Sequence, residues 1–456
     1  MKKQAKKIAV LLLALSLLCT VLFGCAQETA TSSGTEEPSP SQSESSDSGE
    51  EQSDVGDTTY GRPITLLTHW QEDNGAGQAI LAIADEYKAD HPDFSLEWEK
   101  VEQNDLLQRI KVLLASQALP DLFTYQPAAP LVELIDADVL VNWGEVLKEN
   151  DLMKYLADSS EEMMNVQVSG KGMYGLPTEM NFEGMWYNTQ IFEENDIEIP
   201  KTFDELDAVA AKLYDAGIQP FAVAGKESWP ITRYMNMYVV RKMGLDAMRQ
   251  ACQGEIDFNQ PGFVEAAEWT KGLIDKGYFG ESCVTLDYNA AEEMFLTGRT
   301  AMYYSGTWAV RAFNDPEACK INIGFFNIPM LEGTESTEMD FCVGSGLAFC
   351  ASKTSFDEHV LDFMKYYISR FGNYSMEVQG QMTGYKFDMP ENPTYITELM
   401  LNTFNSIENS TFWWEAYMDQ EVTEGTYQDV QSLAIGDISG EEYIVRLSEL
   451  TKASLE

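Results

Sequence analysis

Strand-like and helix-like segments alternate in the first part of the chain that has a globular composition. The apolar run at residues 64–70 predicts a buried strand, and the helical spacing of apolar side chains at residues 79–87 predicts an amphipathic helix. A second strand (94–98), a second helix (106–114) and a third strand (121–125) follow. Because crossover helices join parallel strands, this order predicts an α/β fold in which helices cover the faces of a parallel sheet.

The carboxyl ends of such strands are where an open α/β sheet binds ligands. The first two strands end near residues 69–70 and 101–104, and the third ends near residues 124–126. Surface solvation would explain the polar side chains at these ends equally well, and core packing would explain the aromatic ones. The candidates for ligand binding at these strand ends are Trp70, Glu102, Gln103, Asn104 and Tyr125.

The second half of the folded body also mixes strands and helices. Thr202 and Glu205 have the spacing of a capping box ahead of an amphipathic helix. Residues 290–296 predict a short helix, and residues 301–304 predict a strand. Residues 344–349 predict one further strand, and mostly helical sequence completes the chain without internal repeats.

The amino terminus has the order of an exported precursor. Lysines precede an apolar run at residues 8–23, and Cys25 follows directly after Gly24. This end resembles the bacterial lipobox, in which the signal peptide, here residues 1–24, is removed and the cysteine receives a lipid. An ordinary signal peptide with an incidental cysteine is the alternative. A transmembrane helix is disfavoured because the apolar run falls short of the ~20 residues that a bilayer requires.

Residues 25–62 are the expected tether between the lipid and the folded body. Ser, Thr, Glu, Gly and Pro dominate residues 26–57, and so little apolar surface cannot offset the entropy of ordering the chain. The composition becomes aromatic and aliphatic at Tyr60. The folded body that follows has roughly 390 residues, which exceeds one ordinary core and predicts two lobes.

The acidity of the chain limits its partners. The formal net charge is -44, and a field of that sign repels nucleic acid and anionic membrane surfaces. We therefore expect no nucleic-acid partner and no membrane contact other than the lipid. Solubility at the cell surface explains the acidity, and attraction of a cationic ligand is the alternative.

Motifs for catalysis, metals and cofactors are missing from the sequence. Downstream of Cys25 five cysteines remain at irregular spacing, so a disulfide framework is not expected, although a single bridge stays open. The three histidines are scattered, and C-x-x-C, G-x-S-x-G, H-E-x-x-H and P-loop motifs are absent. We therefore assign no catalytic residue, no metal and no cofactor, and expect that the protein is not an enzyme.

Six short segments follow one another in order across nearly the whole folded body. They are residues 174–179 (YGLPTE), 185–188 (MWYN), 200–206 (PKTFDEL), 295–302 (FLTGRTAM), 306–308 (GTW) and 323–329 (IGFFNIP). Their common order and spacing resemble the family 1 extracellular solute-binding proteins. These are maltose-binding-protein-like lipoprotein receptors of carbohydrate ABC importers.

The resemblance implies a two-lobed periplasmic-binding-protein-like clamp with a mixed sheet flanked by helices in each lobe and a hinge between them. Lobe one would take residues 63–179 and 344–375, and lobe two residues 180–343 and 376–456. It also implies a monomer that binds a carbohydrate in the cleft and delivers it to the permease subunits of an ABC importer. The expected location is the extracellular face of a bacterial membrane, Gram-positive in type.

A sugar presents apolar C–H faces and a rim of hydroxyls, so its site needs aromatic platforms beside a few polar groups. The resemblance places a stacking aromatic at Trp308 and a carboxyl-terminal platform at Trp413 or Trp414. Because neighbours on a helix point in different directions, we expect one of the two rings to face the cleft and the other to face the core. We favour Trp413 as the ring that faces the cleft. Trp229, which lies on a predicted loop, is a further candidate for ligand binding. Core packing is the alternative for each of these rings.

The predicted hinge supplies two further candidates. Glu179 aligns with a family position that contacts ligand, and Trp186 lies just beyond it. Surface solvation and core packing are the respective alternatives. Three other functions remain open at this point: a receptor for polyamines or other cations, a glycan-active enzyme that uses two carboxylates, and a surface adhesin for glycans.

Overall fold

The computed structural model describes residues 61–456 except residues 73, 74, 282 and 335. The predicted signal peptide, Cys25 and nearly all of the predicted linker lie outside the described residues. Up to the first passage between sheets the elements are β1 (Ile64–Thr68), α1 (Gly75–Asp90), β2 (Leu96–Lys100), α2 (Gln103–Ala115), β3 (Leu122–Tyr125), α3 (Ala129–Asp136), α4 (Trp143–Glu149) and α5 (Ser160–Gln167).

The middle of the chain forms most of a second sheet and its helices. Its elements are β4 (Asn181–Asn188), α6 (Thr189–Glu194), α7 (Phe203–Asp215), β5 (Gln219–Ala222), α8 (Trp229–Met243), α9 (Ala247–Cys252), α10 (Pro261–Asp275), α11 (Tyr288–Leu296), β6 (Thr300–Gly306), α12 (Val310–Asn314), β7 (Ile323–Phe326) and β8 (Asp340–Gly344). The remaining elements are β9 (Ala348–Ala351), α13 (Glu358–Gln379), α14 (Tyr395–Ser406), β10 (Asn409–Thr411), α15 (Gln420–Ala434) and α16 (Gly440–Leu455).

Sheet one has the strand order β2-β1-β3-β9. β1 pairs in parallel with both β2 and β3, which confirms the predicted β-α-β-α-β arrangement. β9 adds an antiparallel strand at the edge of β3, with Leu122 opposite Ala351. Asp121 ties the sheet together at the start of β3, because its carboxylate accepts hydrogen bonds from the backbone and hydroxyl of Thr65 and from Arg62.

Sheet two is mixed and has the order β10-β8-β4-β6-β5. β4 is antiparallel to β6 along one side, and β8 and β7 pair with successive parts of its other side. Helices cover both faces, so neighbouring residues of β4 enter different cores: Met185 packs in one and Trp186 in the other. Ahead of α7, Thr202 and Glu205 form the predicted capping box.

The chain passes between the sheets where one continuous strand was expected. Residues 344–349 do not form a single strand: Gly344 ends β8 in sheet two, and Ala348 begins β9 in sheet one. The backbone turns between them because Gly346 adopts a φ of 66°, a conformation that glycine takes at little cost. The turn at Gly346 therefore interrupts the strand that was predicted at residues 344–349.

The hydrophobic cores divide the chain in the way that the predicted lobes do, although the lobe boundaries remain a prediction. The core of sheet one draws its buried residues from residues 64–176 and 347–371. Tyr385 also belongs to that core and packs 5.2 Å from Phe371, ring centroid to ring centroid, although the prediction assigned it to lobe two. A third segment, which follows the long helix α13, therefore joins the core of sheet one.

Candidate ligand-binding site

The chain passes from sheet two to sheet one at one end of the strands of sheet two. β5 is parallel to β6, β4 is antiparallel to β6 and β8, and β10 is parallel to β8. The carboxyl ends of β5, β6, β8 and β10 therefore lie at the same edge as the amino end of β4. Side chains that follow these ends are the candidates for a site between the two sheets.

Three aromatic rings meet at the β5–β6 part of this edge. Trp229 follows β5 as the first residue of α8, and Trp308 lies in the short turn after β6. Their rings are 6.1 Å apart at an interplanar angle of 75°, and Tyr288 stacks on Trp229 at 6.2 Å. All three side chains are half-buried. We call Trp229, Tyr288 and Trp308 the aromatic corner.

The sequence around Trp308 fixes the position of its ring. The indole nitrogen donates a hydrogen bond of 2.7 Å to the hydroxyl of Tyr288. The ring folds back over Gly306, where a β-carbon would lie only 2.1 Å from a ring atom. Only glycine at position 306 leaves room for this orientation, so the Gly-Thr-Trp segment orients the platform as well as providing it.

A charged cluster lies beside the aromatic corner. The guanidinium of Arg233 contacts the rings of Trp229 and Trp413 at 5.1 and 4.9 Å. Its Nε donates to Glu183 at 3.0 Å and its Nη1 to Glu415 at 2.9 Å. We call Arg233, Glu183 and Glu415 the charged cluster. Its partners are far apart in sequence, and β4, α8 and the turn after β10 bring them together.

Burial controls the ionisation of this cluster. Burial raises the pKa of Glu183, and the charge of Arg233 only partly offsets that effect. Burial opposes the charge of Arg233, but the attraction of Glu183 and Glu415 outweighs it and raises the pKa of the guanidinium. Further hydrogen bonds hold Glu415, from the hydroxyl of Thr232 and, at 3.2 Å, from the amide of Asn236. The cluster is therefore a fixed cation between two carboxylates.

Trp413 belongs to the charged cluster rather than to an open platform. It is 4% exposed and donates its indole N–H to Glu183. Trp414 is fully buried and packs near Phe258 and Tyr443. The prediction that both lie on a helix is wrong, because Trp413 has extended backbone and precedes a short 3-10 turn.

Two other candidates of lobe two have surroundings that differ from those expected. Trp186 is fully buried, and its indole nitrogen donates to the carbonyl of Ser305 at 3.0 Å. In this conformation it offers no surface to a ligand, since sheet two is covered on both faces. Trp229 begins helix α8 instead of lying on a loop, because Pro230 suits the first turn of a helix.

In lobe one the structure separates the candidates into buried and exposed groups. Trp70 and Tyr125 are buried in the core of sheet one, with Trp70 packed 5.5 Å from Phe349. Glu102 and Gln103 are exposed at the start of α2. Asn104 continues α2, and its side chain lies outside what the structure describes.

Glu179 lies on the segment that leads from lobe one into β4. Its carboxylate accepts a hydrogen bond from Asn181, which in turn accepts one from the hydroxyl of Thr307 at 3.0 Å. Burial raises the pKa of Glu179, against the effect of its hydrogen bond with Asn181. Because Thr307 directly precedes Trp308 in the chain, these two hydrogen bonds connect the passage between the lobes to the residue next to the aromatic corner.

A cavity of about 1120 Å³ also lies beside the passages between the sheets. Residues of α5, including Met163 and Val166, line one side of it. Phe404 and Phe412 of the carboxyl-terminal part line another, and Gly344 borders it at the crossing. Its volume is sufficient for a ligand. The residues that line it include none of the aromatic corner or of the charged cluster, so the cavity lies beside the candidate site and does not contain it.

Tyr288, Arg233, Glu183 and Glu415 were not predicted as site residues. Arg233 lies four residues after Trp229, and residues at that spacing share one face of a helix. A helix predicted at α8 would therefore have placed Arg233 next to Trp229. Its ion pairs join positions that are 50 and 182 residues apart, and no local pattern reveals them.

Other chemistry is limited in the part of the chain that the structure describes. The five cysteines there are free thiols, Cys252, Cys283, Cys319, Cys342 and Cys350. Within the described ranges, no group of histidine, cysteine, aspartate and glutamate side chains is arranged to hold a metal ion. None of the described helices has the length and apolar character of a membrane span.

Two curated relatives share part of their sequence with this chain. An "uncharacterized ABC transporter extracellular-binding protein" of Pyrococcus horikoshii is 25% identical over 280 residues, which cover 60% of this chain and 62% of the relative. The maltotriose-binding protein of Pyrococcus abyssi is 28% identical over 243 residues, covering 52% of this chain and 48% of the relative. The chain thus spans about half to two thirds of the length of these relatives.

A solved structure has the same fold. A chitin oligosaccharide binding protein superposes with a TM-score of 0.78 at 21% identity, over 86% of this chain and 99% of the other. Residues 72–370 match the family model described as bacterial extracellular solute-binding protein. The chain belongs to the family of bacterial extracellular solute-binding proteins.

Proposed function

We propose that this protein is a receptor that binds a sugar or oligosaccharide between its lobes and delivers it unchanged to an ABC importer. The aromatic corner carries the proposal. Two half-buried indole rings nearly perpendicular to each other can cover two C–H faces of a sugar, and the adjacent charged cluster can meet its hydroxyls. The name of the maltotriose-binding relative and that of the chitin oligosaccharide binding structure support a carbohydrate ligand.

We propose that Trp229 and Trp308 are the stacking platforms, and that Trp413 and Glu179 support them. Glu102, Gln103 and Asn104 would supply polar contacts from lobe one. Trp70, Tyr125 and Trp186 are buried in this conformation. They would shape the walls of the site rather than touch the ligand.

The two sheets would form the halves of a clamp. We propose that lobe one, residues 63–179 and 344–375, moves relative to lobe two, residues 180–343 and 376–456, about the passages near Glu179 and Gly346. A ligand that contacts both lobes favours the closed arrangement, which the importer can distinguish from the open one. Small-angle scattering should then give a smaller radius of gyration with the sugar than without it. An unchanged radius with a saturating ligand would indicate a rigid pocket.

The location follows from the sequence of the amino terminus. We propose that Cys25 carries the lipid and that residues 26–62 tether a monomeric receptor to the outer face of a bacterial membrane of the Gram-positive type. The permease subunits of the importer would be its protein partners. A lipid with two acyl chains attaches a protein stably to the membrane, whereas one acyl chain does not. The receptor would therefore remain near the permease between binding events.

A thermal-shift screen tests the proposed function. Maltotriose, raffinose, stachyose and chitotriose form the sugar arm, and putrescine and spermidine form the cation arm. A ligand that binds the folded state raises the melting temperature through RT ln(1 + [L]/Kd). We expect a shift with at least one sugar and none with the polyamines. Product analysis after incubation with each sugar should detect no turnover. A polyamine shift alone, or release of sugar fragments, would refute the proposal.

A further inference from the structure

We propose that Arg233 contacts the ligand and makes the site selective for neutral oligosaccharides over acidic ones. This inference rests on the proposed function, since it concerns the same site. Two observations carry it: Arg233 has unused hydrogen-bond donors beside the aromatic corner, and two carboxylates already balance its charge.

The first observation is the number of donors that the guanidinium leaves free. An arginine has five N–H groups. Arg233 uses one at Nε for Glu183 and one at Nη1 for Glu415, which leaves three without a hydrogen bond to the residues that the structure describes. The side chain is only 13% exposed. The free N–H groups are not among the fully buried atoms that lack a partner, so they face solvent beside the aromatic corner and are open to a ligand.

The surroundings of Arg233 show where that partner would lie. The guanidinium lies between the rings of Trp229 and Trp413, at 5.1 and 4.9 Å. Trp229 also forms the aromatic corner with Trp308. A sugar ring that lies against the aromatic corner would therefore have its hydroxyl rim near the free N–H groups. Hydroxyl and ring oxygens accept hydrogen bonds, so a neutral sugar satisfies these donors.

The second observation is the charge of the cluster. Glu183 and Glu415 contribute two negative charges against the single positive charge of Arg233, and both are buried. The cluster therefore has no unbalanced positive charge for a ligand carboxylate. Bringing a third carboxylate to the same guanidinium would add repulsion at low dielectric, which water cannot screen. Acidic sugars should be excluded although an arginine lies at the site.

Calorimetric titration of purified protein tests both parts. The neutral ligands are maltotriose, raffinose, stachyose and chitotriose, and the acidic ligand is trigalacturonate. We expect wild type to bind a neutral sugar at least about tenfold more tightly than trigalacturonate, which is ~1.4 kcal/mol. Arg233→Lys keeps the positive charge but loses the forked donors. It should weaken binding of the neutral sugar by about 10- to 100-fold, as expected for hydrogen bonds from a charged group.

A matched control lies on the same helix. Arg241 is fully buried and donates to Ser336 and to the carbonyls of Ile328 and Thr337, away from the aromatic corner. Arg241→Lys should therefore reduce the melting temperature without changing the affinity for the neutral sugar. The charge argument has its own variant: Glu415→Gln removes one negative charge, and should improve trigalacturonate binding relative to wild type.

The outcomes separate this inference from the proposed function. If wild type binds none of the sugars, the proposed function fails and the inference fails with it. If a neutral sugar binds but Arg233→Lys binds it as wild type does, the receptor stands and Arg233 is only structural. Equal affinity for trigalacturonate would also overturn the selectivity. If Arg233→Lys does not fold, the comparison of neutral and acidic sugars on wild type and Glu415→Gln decides the question.

Discussion

The hydroxyl of Tyr288 accepts a 2.7 Å hydrogen bond from the indole nitrogen of Trp308, 20 residues further along the chain. This bond connects helix α11 to the turn after β6 and fixes the ring that we propose as a sugar platform. The same hydroxyl lies 3.4 Å from a carboxylate oxygen of Glu292, so the platform is also linked to a titratable group.

Tyr288→Phe should loosen the Trp308 ring without removing the aromatic corner. A net hydrogen-bond contribution of about 0.5 to 1.5 kcal/mol corresponds to an affinity for the bound sugar about 2- to 12-fold lower. The control is Tyr234→Phe, since the buried hydroxyl of Tyr234 has no hydrogen-bond partner among the described residues. Calorimetry should show a loss for the first variant only, and equal affinities would contradict the role of Tyr288.

Stability should depend on pH through Glu292. Burial raises its pKa from 4.5 to about 7, against a hydrogen bond with Tyr288 that lowers it. The folded state therefore holds this proton more tightly than the unfolded state does. Stability from this group is complete below pH 4.5, declines as the pH rises towards 7, and is constant above that.

The variant Glu292→Gln isolates this effect from other carboxylates whose pKa is raised by burial, such as Glu179 and Glu183. Thermal melts between pH 4.5 and 8 should show wild type losing stability relative to the variant as the pH rises. A constant difference between the two proteins across that range would exclude a raised pKa at Glu292.

Gly346 should be essential for the passage between sheets. Its φ of 66° is unfavourable for other residues, and an added β-carbon would lie 2.7 Å from the hydroxyl oxygen of Thr178. Gly346→Ala should cost on the order of 1 to 2 kcal/mol of folding stability. Gly344→Ala is the control, because a β-carbon there meets nothing within 4 Å. Equal denaturation midpoints for the two variants would contradict this assignment.

The lipid anchor gives a prediction in cells. Cys25→Ser should abolish incorporation of a fatty-acid probe, and the protein should be released or remain an unprocessed precursor. The folded body should be unaffected, since it begins near Arg62. Equal labelling of the variant and wild type would show that the cysteine is incidental.

Much of the architecture could be predicted from the sequence because it depends on local patterns. Alternating strand and helix periodicity gave the parallel part of sheet one, and the spacing of Thr202 and Glu205 gave a helix start that the structure confirms. The prediction of one strand at residues 344–349 was wrong. The composition of this segment, which includes Gly-Ser-Gly, fits a continuous strand as well as a passage between two sheets. Only the pairing of β8 and β9 with different sheets distinguishes the two.

The site was harder to predict because side-chain direction depends on which faces of a sheet are covered. Helices pack on both faces of sheet two, so Trp186 is buried, whereas Trp308 lies beyond the strand end and stays half-exposed. The ion pairs of Arg233 form only in the folded chain. A single sequence identifies aromatic candidates at strand ends but not the charged groups that fold against them.

The most direct test of the proposed receptor is a calorimetric titration of the sugar identified in the thermal-shift screen into wild type, Trp308→Ala and Trp269→Ala. Trp269 is a half-buried tryptophan of α10 whose indole nitrogen donates to Asp207 at 3.1 Å, away from the aromatic corner. It controls for the general effect of removing such a ring.

Loss of the stacking ring of Trp308 should cost about 1 to 3 kcal/mol of binding, a Kd roughly 5- to 150-fold higher. Trp269→Ala should lose stability and bind as wild type does. Wild-type affinity in the folded fraction of Trp308→Ala would contradict the proposal that this ring holds the ligand.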